Sequence, residues 1–219
     1  MELKGKKIVF LGDSITEGCG TSAREHIYWN VIGRRTGAEV FGYGSGGTRI
    51  APQRIPTVER PWTDKYFASR VDSMIPDADV VVIFGGTNDF GHGDAAFGKL
   101  TDRTNDTFYG AVHLLLQKVM ERYPEAKIAL MTPMHRLSED EIYYNEFGIR
   151  RAGNLERYVN AMKDIAGFYG VPAVDLFHEC PIQPKLDAQR EMYMPDGLHP
   201  NAAGHLLIVR CLMKVLEEL

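Results

Sequence analysis

The sequence is poor in cysteine and has no long apolar run. Its three cysteines, Cys19, Cys180 and Cys211, are far apart and odd in number, which argues against a disulfide framework and favours a reducing compartment. No apolar stretch approaches the roughly 20 residues that a membrane-spanning helix needs. The basic start runs directly into a short apolar segment rather than into the longer core of a signal peptide. We therefore expect a cytoplasmic protein without a membrane span.

The chain also lacks an excess of positive charge, internal repeats and flexible linkers. Its formal net charge is −4, with 25 basic and 29 acidic residues and no block of like charges. Because a nucleic-acid-binding protein normally presents a basic face, we expect no nucleic-acid partner. The length of 219 residues and the absence of a linker rich in proline, glycine or serine predict one domain, residues 1–219, with a substantial core. The sequence indicates no oligomeric state.

Short apolar segments alternate with helical patterns along the chain. The segments are apolar throughout, as in "DVVVIFGG", which is typical of strands covered on both faces in a parallel sheet. Segments with apolar residues at helical spacing separate them. This alternation predicts an α/β fold with a doubly wound parallel sheet. The predicted strands are residues 8–11, 40–41, 80–84, 128–131 and 173–176, and the predicted helices are residues 28–35, 106–123, 155–169 and 202–219.

Polar motifs follow these predicted strands, at the edge where such a sheet binds ligands. "GDSITEG" follows the first strand, "GYGSGGTRI" the second, "GGTNDFGHG" the third and "TPMHR" the fourth, while "PDGLHPN" precedes the last helix. Together they bring a serine, glycine-rich backbone, an asparagine and an aspartate–histidine pair to one rim. These groups are a nucleophile, oxyanion donors, an orienting acid and a base. Acyl transfer through a serine ester requires this set.

Each of these groups also has a purely structural interpretation. Ser14 is a favoured helix cap, residues 42–47 can form a tight turn, and Asn88 suits a turn. Asp196 and His199 are harder to explain in this way, since they stand three residues apart in a segment stiffened by two prolines. The carboxylate can reach Nδ1 of the imidazole and direct Nε2 towards a serine. The combination of all these groups favours catalysis.

The ordered motifs "GDSITEG", "GYGSGGTRI", "GGTND" and "DGLHPN" resemble the four motif blocks of the SGNH hydrolases, also called the GDSL esterase/lipase family. They extend over residues 12–201. The resemblance implies a three-layer α/β/α sandwich of flavodoxin-like character, and hydrolysis of esters without a metal or another cofactor. It also implies that Ser14 is the nucleophile, His199 the base and Asp196 the acid that orients the base.

The resemblance further implies an oxyanion hole. It would be formed by the backbone N–H of Ser14, a backbone N–H of the second block and the side-chain amide of Asn88. In the family, the second block usually begins with an asparagine five residues before the oxyanion glycine, and here Gly42 stands five residues before Gly47. We assign Gly47 because "GGTRI" aligns with the end of the block, and Gly46 stays an alternative.

The substrate is less closely indicated. Two long connections, residues 85–105 and 132–153, follow predicted strands, and loops of this length tend to be functional. Among their side chains, Phe90 and His135 are predicted to line a substrate pocket. No continuous apolar lid stands out, which favours a small or short-chain ester, such as an O-acetylated carbohydrate. A lipase or thioesterase acting on longer acyl chains is an alternative.

A metal-dependent phosphoesterase is the alternative from another class. Its oxygen and nitrogen ligands would be Asp13, Asp89, Asp196, His92 and His199. Their spacing matches no known metal-binding motif, and such an enzyme would not need the serine and asparagine together. We therefore predict no metal ligand. We expect Asp13 to fix the turn after the first strand by accepting backbone N–H groups.

Overall fold

A single parallel sheet organises the structure. The computed structural model describes residues 1–140 and 153–219. Within them, five strands lie in the order β2-β1-β3-β4-β5, and all neighbouring strands are parallel. The strands are β1 (Lys7–Gly12), β2 (Glu39–Gly44), β3 (Val80–Phe84), β4 (Lys127–Met131) and β5 (Ala173–Val174).

Helices follow and separate the strands, as the alternating pattern predicts. The four predicted helices correspond to α2, α5, α6 and α9, with ends that agree within two residues. Shorter helices occur directly after strands and within connections. In chain order the helices are α1 (Ser14–Glu17), α2 (Tyr28–Thr36), α3 (Phe67–Arg70), α4 (Thr87–His92), α5 (Phe108–Arg122), α6 (Leu155–Tyr169), α7 (Leu176–Glu179), α8 (Asp187–Tyr193) and α9 (Ala202–Glu218).

The sheet separates two apolar cores. Alternate side chains of β1 point to opposite faces, so that Ile8 and Phe10 join one core while Val9 and Leu11 join the other. Helices α2 and α9 contribute to the first core, and α3, α5 and α6 contribute to the second. Every residue of the central strand β3 is buried, because helices cover both faces of the sheet. The predicted α/β/α sandwich is confirmed.

Strand β2 is longer than predicted because two glycines continue it. Gly42 pairs with Phe10 of β1, and Gly44 pairs with Gly12. A Cβ atom at Gly42 would lie 2.4 Å from the indole ring of Trp29. A Cβ atom at Gly44 would lie 2.0 Å from a backbone nitrogen of α1. These glycines therefore let α1 and α2 approach the sheet closely, where the sequence suggests only a turn.

Strand β5 is shorter than predicted, and the prediction that it reaches Leu176 is wrong. Leu176 is the first residue of α7. Asp175 caps this helix, since its side chain accepts the backbone N–H of His178 at 3.2 Å. A capping aspartate satisfies an N–H that the helix leaves unpaired, so the strand ends before it.

The described part of the chain has no helix that combines the length and the apolar character needed to cross a membrane. All three cysteines are free thiols; Cys180 and Cys211 are buried and Cys19 is exposed. Part of the second long connection, residues 141–152, lies outside the described residues.

Candidate active site

The candidate nucleophile Ser14 stands where β1 passes directly into α1. A Cβ atom at Gly12 would lie 2.0 Å from Oγ1 of Thr16, so only glycine fits at the end of this strand. Asp13 caps α1, with its side chain accepting the N–H of Ile15 at 3.0 Å. This confirms the expected role of Asp13 in the turn. The short connection holds Ser14 at the first helical position, where it keeps 6% of its surface exposed.

The Asp13 carboxyl is fully buried beneath the nucleophile. Burial raises its pKa to about 6, although the Ile15 N–H and the nearby His199 and Arg70 favour its charged form. Desolvation therefore outweighs these favourable contacts. Asp13 makes its hydrogen bond to the backbone N–H of Ile15, whereas the His199 ring is hydrogen-bonded to Asp196, so Asp13 is a turn residue rather than the orienting acid.

The side chains of Ser14, His199 and Asp196 form a continuous hydrogen-bonded chain. Oγ of Ser14 lies 3.0 Å from Nε2 of His199. Nδ1 of His199 lies 2.6 Å from Oδ2 of Asp196. The other oxygen of Asp196 accepts the backbone N–H groups of Leu198 and His199, at 2.9 and 2.7 Å. The structure thus brings together the three residues that the sequence singled out, across 185 positions of the chain.

The electrostatics of Asp196 suit an orienting acid. Burial favours its neutral form, but hydrogen bonds from the backbone and ring of His199 and from the Leu198 N–H outweigh burial, so its pKa lies below the ordinary value. An ionised Asp196 accepts the proton on Nδ1 of His199. Nε2 then carries a lone pair that faces the Ser14 hydroxyl, which is the arrangement needed to remove its proton.

The second motif block lies beside Ser14 and contains both candidate oxyanion glycines. The N–H of Gly46 is donated to Oε2 of Glu17 at 2.8 Å. Gly47 has a φ of +74°, and no residue that the structure describes accepts its N–H. The Gly46 donor is therefore engaged while the Gly47 donor is free, which favours Gly47 as the oxyanion donor. Sequence analysis missed Glu17, whose partner stands 29 positions away.

Asn88 fixes the third block against the second. It lies on α4, is 5% exposed, and donates Nδ2–H to the Thr48 carbonyl at 3.0 Å. An amide carries two such hydrogens, so one stays available for an oxyanion. The neighbouring Asp89 accepts the backbone N–H groups of Ile50 and Ala51 at 3.0 and 2.8 Å. Burial raises the Asp89 pKa to about 6 despite these bonds.

The comparison with protein families decides the class. The model of the GDSL-like Lipase/Acylhydrolase family matches residues 10–207. The chain belongs to this family. It is accordingly a carboxylic ester hydrolase of the GDSL esterase/lipase type, and the resemblance read from the four motif blocks is confirmed.

Solved structures share the GDSL fold over nearly the whole chain. One is 32% identical, covers 98% of this chain and 99% of its own, and superimposes with a TM-score of 0.81. A protein from Lactobacillus plantarum is 28% identical over 98% of both chains, also with a TM-score of 0.81. An acetyl xylan esterase is 22% identical over 96% of this chain and 99% of its own, with a TM-score of 0.61, and shares the fold. No curated protein sequence matches the chain.

Arg70 is a second residue of the GDSL site that sequence analysis missed. Its guanidinium donates to the carbonyls of Gly12 and Tyr43, each at 2.9 Å, and to Oγ1 of Thr48 at 3.1 Å. It therefore joins the ends of β1 and β2 to the second block. Burial lowers its pKa to about 10, partly opposed by Asp13 and Glu17, so it stays charged at neutral pH. Its partners are distant in sequence, and no motif surrounds it.

His135, predicted to line the pocket, lies on the connection after β4. It is half-buried; its Nδ1 is 2.8 Å from Oε2 of Glu139, and its ring centroid is 3.9 Å from that of Phe177. The same connection contacts the segment that carries the base, since the Leu137 N–H is donated to the Gly197 carbonyl at 2.8 Å. His135 thus lies on a connection that adjoins the site.

Phe90, the other predicted pocket residue, lies in the core. It has no exposed surface, and its ring centroid is 5.8 Å from that of Tyr158. The structure therefore places Phe90 away from the surface of the site, and the apolar character that suggested a pocket is explained by packing.

The candidate metal ligands of the phosphoesterase alternative are engaged elsewhere. Asp13 and Asp89 accept backbone N–H groups, and Nδ1 of His92 is 2.7 Å from Nη1 of Arg49. Across residues 1–140 and 153–219, no three histidine, cysteine, aspartate or glutamate side chains are grouped so that they could hold a metal ion. This alternative therefore has no ligand set within those residues.

Proposed function

We propose that this GDSL hydrolase cleaves small or short-chain esters, such as O-acetylated carbohydrates, through an acyl-enzyme on Ser14. The observation that carries the proposal is the hydrogen-bonded chain from Ser14 to His199 at 3.0 Å and on to Asp196 at 2.6 Å. A serine, a base and an orienting acid in this order are the groups that activate a hydroxyl for attack on a carbonyl.

In the first half of the reaction, His199 removes the hydroxyl proton as Oγ of Ser14 attacks the ester carbonyl. The negative charge that develops on the carbonyl oxygen is held by the N–H groups of Ser14 and Gly47 and by the Asn88 amide. His199 then gives its proton to the leaving alcohol, and the acyl group stays on Ser14. Asp196 stabilises the imidazolium that forms between these two proton transfers.

In the second half, water takes the place of the alcohol. His199 removes a proton from water, which attacks the acyl-enzyme carbonyl, and the same donors hold the oxyanion. Collapse of this intermediate returns the proton to Ser14 and releases the acid. No step needs a metal or another cofactor.

We also propose that residues 1–219 form one SGNH hydrolase domain that works in the cytoplasm. The family match over residues 10–207 and the structural match over 98% of the chain support one domain. The three free thiols support a reducing compartment.

Replacement of the nucleophile tests the mechanism. Ser14→Ala should lower turnover of p-nitrophenyl acetate by at least about a thousandfold, while circular dichroism shows an intact fold. Ser69→Ala, an exposed serine on α3, is the matched control and should keep full activity. A fluorophosphonate should label wild type and the control but not Ser14→Ala. Wild-type turnover by Ser14→Ala would contradict the assignment of the nucleophile.

A substrate series tests the choice of ester. p-Nitrophenyl esters of increasing chain length, assayed beside acetylated sugars, should show the highest kcat/KM at the shortest acyl groups. An optimum at long acyl chains would instead favour a lipase or thioesterase. Loss of activity in EDTA without fluorophosphonate labelling would favour the metal-dependent alternative.

A further inference from the structure

A polar cavity of about 400 Å³ lies beside the nucleophile helix. Its walls are formed by α1, by the connection that follows α1, and by Trp29 and the glycines of β2. The lining residues with charged or hydroxyl groups are Thr16, Glu17, Thr21, Ser22 and Arg24. The mechanism proposed above uses none of these five side chains.

The cavity adjoins the candidate active site through Glu17. A Cβ atom placed at Gly46 would lie 2.8 Å from Oε2 of Glu17 and 3.7 Å from Cβ of Ser14, so both side chains flank the same glycine. The connection after α1 also contacts the base, because a Cβ atom at Gly20 would lie 2.9 Å from Cβ of His199. The segment from Glu17 to Thr21 therefore links the lining of the cavity to Gly46 beside the nucleophile and to the base.

The position of the base indicates which half of the substrate meets this wall. In the proposed mechanism the carbonyl oxygen faces Gly47 and Asn88, while the alcohol oxygen must face Nε2 of His199 to receive its proton. The alcohol portion of the ester consequently extends along the connection that contacts His199. Gly18 and Thr21 of this connection line the cavity, so in the proposed mechanism the alcohol portion extends towards the cavity.

The side chains of the cavity suit hydroxyl groups. One oxygen of Glu17 holds the Gly46 N–H, and the other can accept a hydrogen bond. The guanidinium of Arg24 lies 5.4 Å from the centroid of the Trp29 ring and has no hydrogen-bond or ion-pair partner among the residues described. The Ser22 hydroxyl is exposed and can donate or accept. The wall thus offers an acceptor, a donor and a group that does both.

The charge balance selects between classes of alcohol. Glu17 and Arg24 carry opposite charges, so an anionic alcohol would meet a repelling carboxylate, and an alkyl alcohol would displace water from both charged groups without replacing its hydrogen bonds. We propose that this cavity binds the neutral, polyhydroxylated alcohol of the substrate, a sugar ring, and so determines specificity for the leaving group. The proposal rests on the serine esterase function proposed above and names the substrate class of the same site.

Three acetates with one acyl group and different alcohols provide the test. We would measure kcat/KM for a mono-acetylated methyl glycoside, n-hexyl acetate and p-nitrophenyl acetate with wild type, Arg24→Ala and Ser22→Trp. Loss of a charged hydrogen bond should lower the ratio of glycoside to p-nitrophenyl activity about tenfold or more in Arg24→Ala. Ser22→Trp, which fills the cavity, should lower the same ratio. Arg35→Ala, an exposed arginine of α2 outside the cavity, is the matched control and should leave the ratio unchanged.

A binding measurement separates the two proposals. The methyl glycoside without its acetate is titrated into the Ser14→Ala variant, and binding is followed by NMR. In the double variant that also carries Arg24→Ala, the glycoside should bind about tenfold more weakly. Suppose that the ratio of glycoside to p-nitrophenyl activity stays within twofold of wild type in both cavity variants, and that Arg24→Ala changes glycoside binding by less than twofold. This result would overturn the sugar subsite while leaving the serine mechanism intact. Wild-type turnover by Ser14→Ala would overturn the mechanism, and the glycoside titration would then decide the subsite independently. Preference for n-hexyl acetate over the glycoside would also overturn the subsite.

Discussion

The buried His205 should make the stability of the protein depend on pH. This residue of α9 has no exposed surface. Its Nδ1 accepts the backbone N–H of Tyr28 at 3.2 Å, and its ring lies nearly parallel to the Tyr28 ring, with centroids 5.9 Å apart. Since Nδ1 accepts, the proton of the neutral ring is on Nε2, which has no partner among the described residues. Protonation of Nδ1 would break the bond to Tyr28.

The magnitude follows from the pKa of His205. Burial lowers this pKa from the ordinary 6.5 to about 4. In the unfolded chain His205 therefore takes up a proton near pH 6.5, whereas in the folded protein it does so only near pH 4. The free energy of unfolding therefore decreases as pH falls through this window, and above the window His205 does not change it. At about 1.4 kcal/mol per pH unit, the loss between pH 8 and 4.5 is about 2–3 kcal/mol.

The comparison of wild type with His205→Gln isolates this effect. Glutamine can accept the Tyr28 N–H but does not titrate. We expect the free energy of unfolding of wild type, measured with urea at several pH values, to fall relative to that of His205→Gln by about 2–3 kcal/mol from pH 8 to pH 4.5. Asp13 and Asp89, whose pKa values are raised by burial, act in the opposite direction but are present in both proteins. Their contributions cancel in the difference.

A second histidine provides a control of opposite sign. Hydrogen bonding to Asp175 is the largest cause that raises the pKa of His178, with burial opposing it. The stability it provides is therefore present at acid pH and lost as pH rises through its folded-state pKa. His178→Gln should accordingly destabilise the protein more at low pH than at high pH. Parallel curves for wild type and His205→Gln, or an NMR titration of folded His205 near pH 6.5, would refute the reasoning about burial.

Two further predictions concern the oxyanion donor and the close contact of β2 with α1. Asn88→Ala should lower kcat for p-nitrophenyl acetate by about 10²–10³, and a loss below tenfold in steady-state kinetics would argue against its amide as a donor. Gly44→Ala should lower the free energy of unfolding by about 2 kcal/mol or more, because its Cβ would lie 2.0 Å from the nitrogen of Glu17. Gly167→Ala, in α6 with no atom within 4 Å of its Cβ, should instead stabilise the protein in urea unfolding by about 0.5–1 kcal/mol, and equal effects at both glycines would contradict the packing argument.

The parts of the fold that local pattern determines were predictable. Strand β3 has the predicted bounds, since an unbroken apolar segment between polar residues has one interpretation in a parallel sheet. Strand β2 was predicted too short because Gly42 and Gly44 resemble turn residues. Their place in the sheet depends on Trp29 and α1, which approach from elsewhere in the chain. Such close approach is a tertiary property that a single sequence does not display.

The candidate site shows the same division. Asp196 and His199 were predictable because their spacing alone allows a carboxylate to reach an imidazole, and the structure has this contact at 2.6 Å. Arg70 and Glu17 were not, since each contacts backbone groups that lie 27 or more positions away. Every residue has a backbone N–H or carbonyl group, so the sequence does not show which residue such a side chain contacts. For Phe90, an aromatic after a strand suggested a pocket, and burial in the core overrode that interpretation.

The distance in sequence between Ser14 and His199 has a consequence for how activity arises. The hydroxyl and its base are separated by 185 positions, and the end of β1 and the segment before α9 bring them into contact in the folded protein. An amino-terminal fragment that ends before His199 would contain the proposed nucleophile and oxyanion donors but not the proposed base, and we expect it to be inert. Ester hydrolysis by two separately produced fragments, divided in the connection after β4, would therefore report directly on their association.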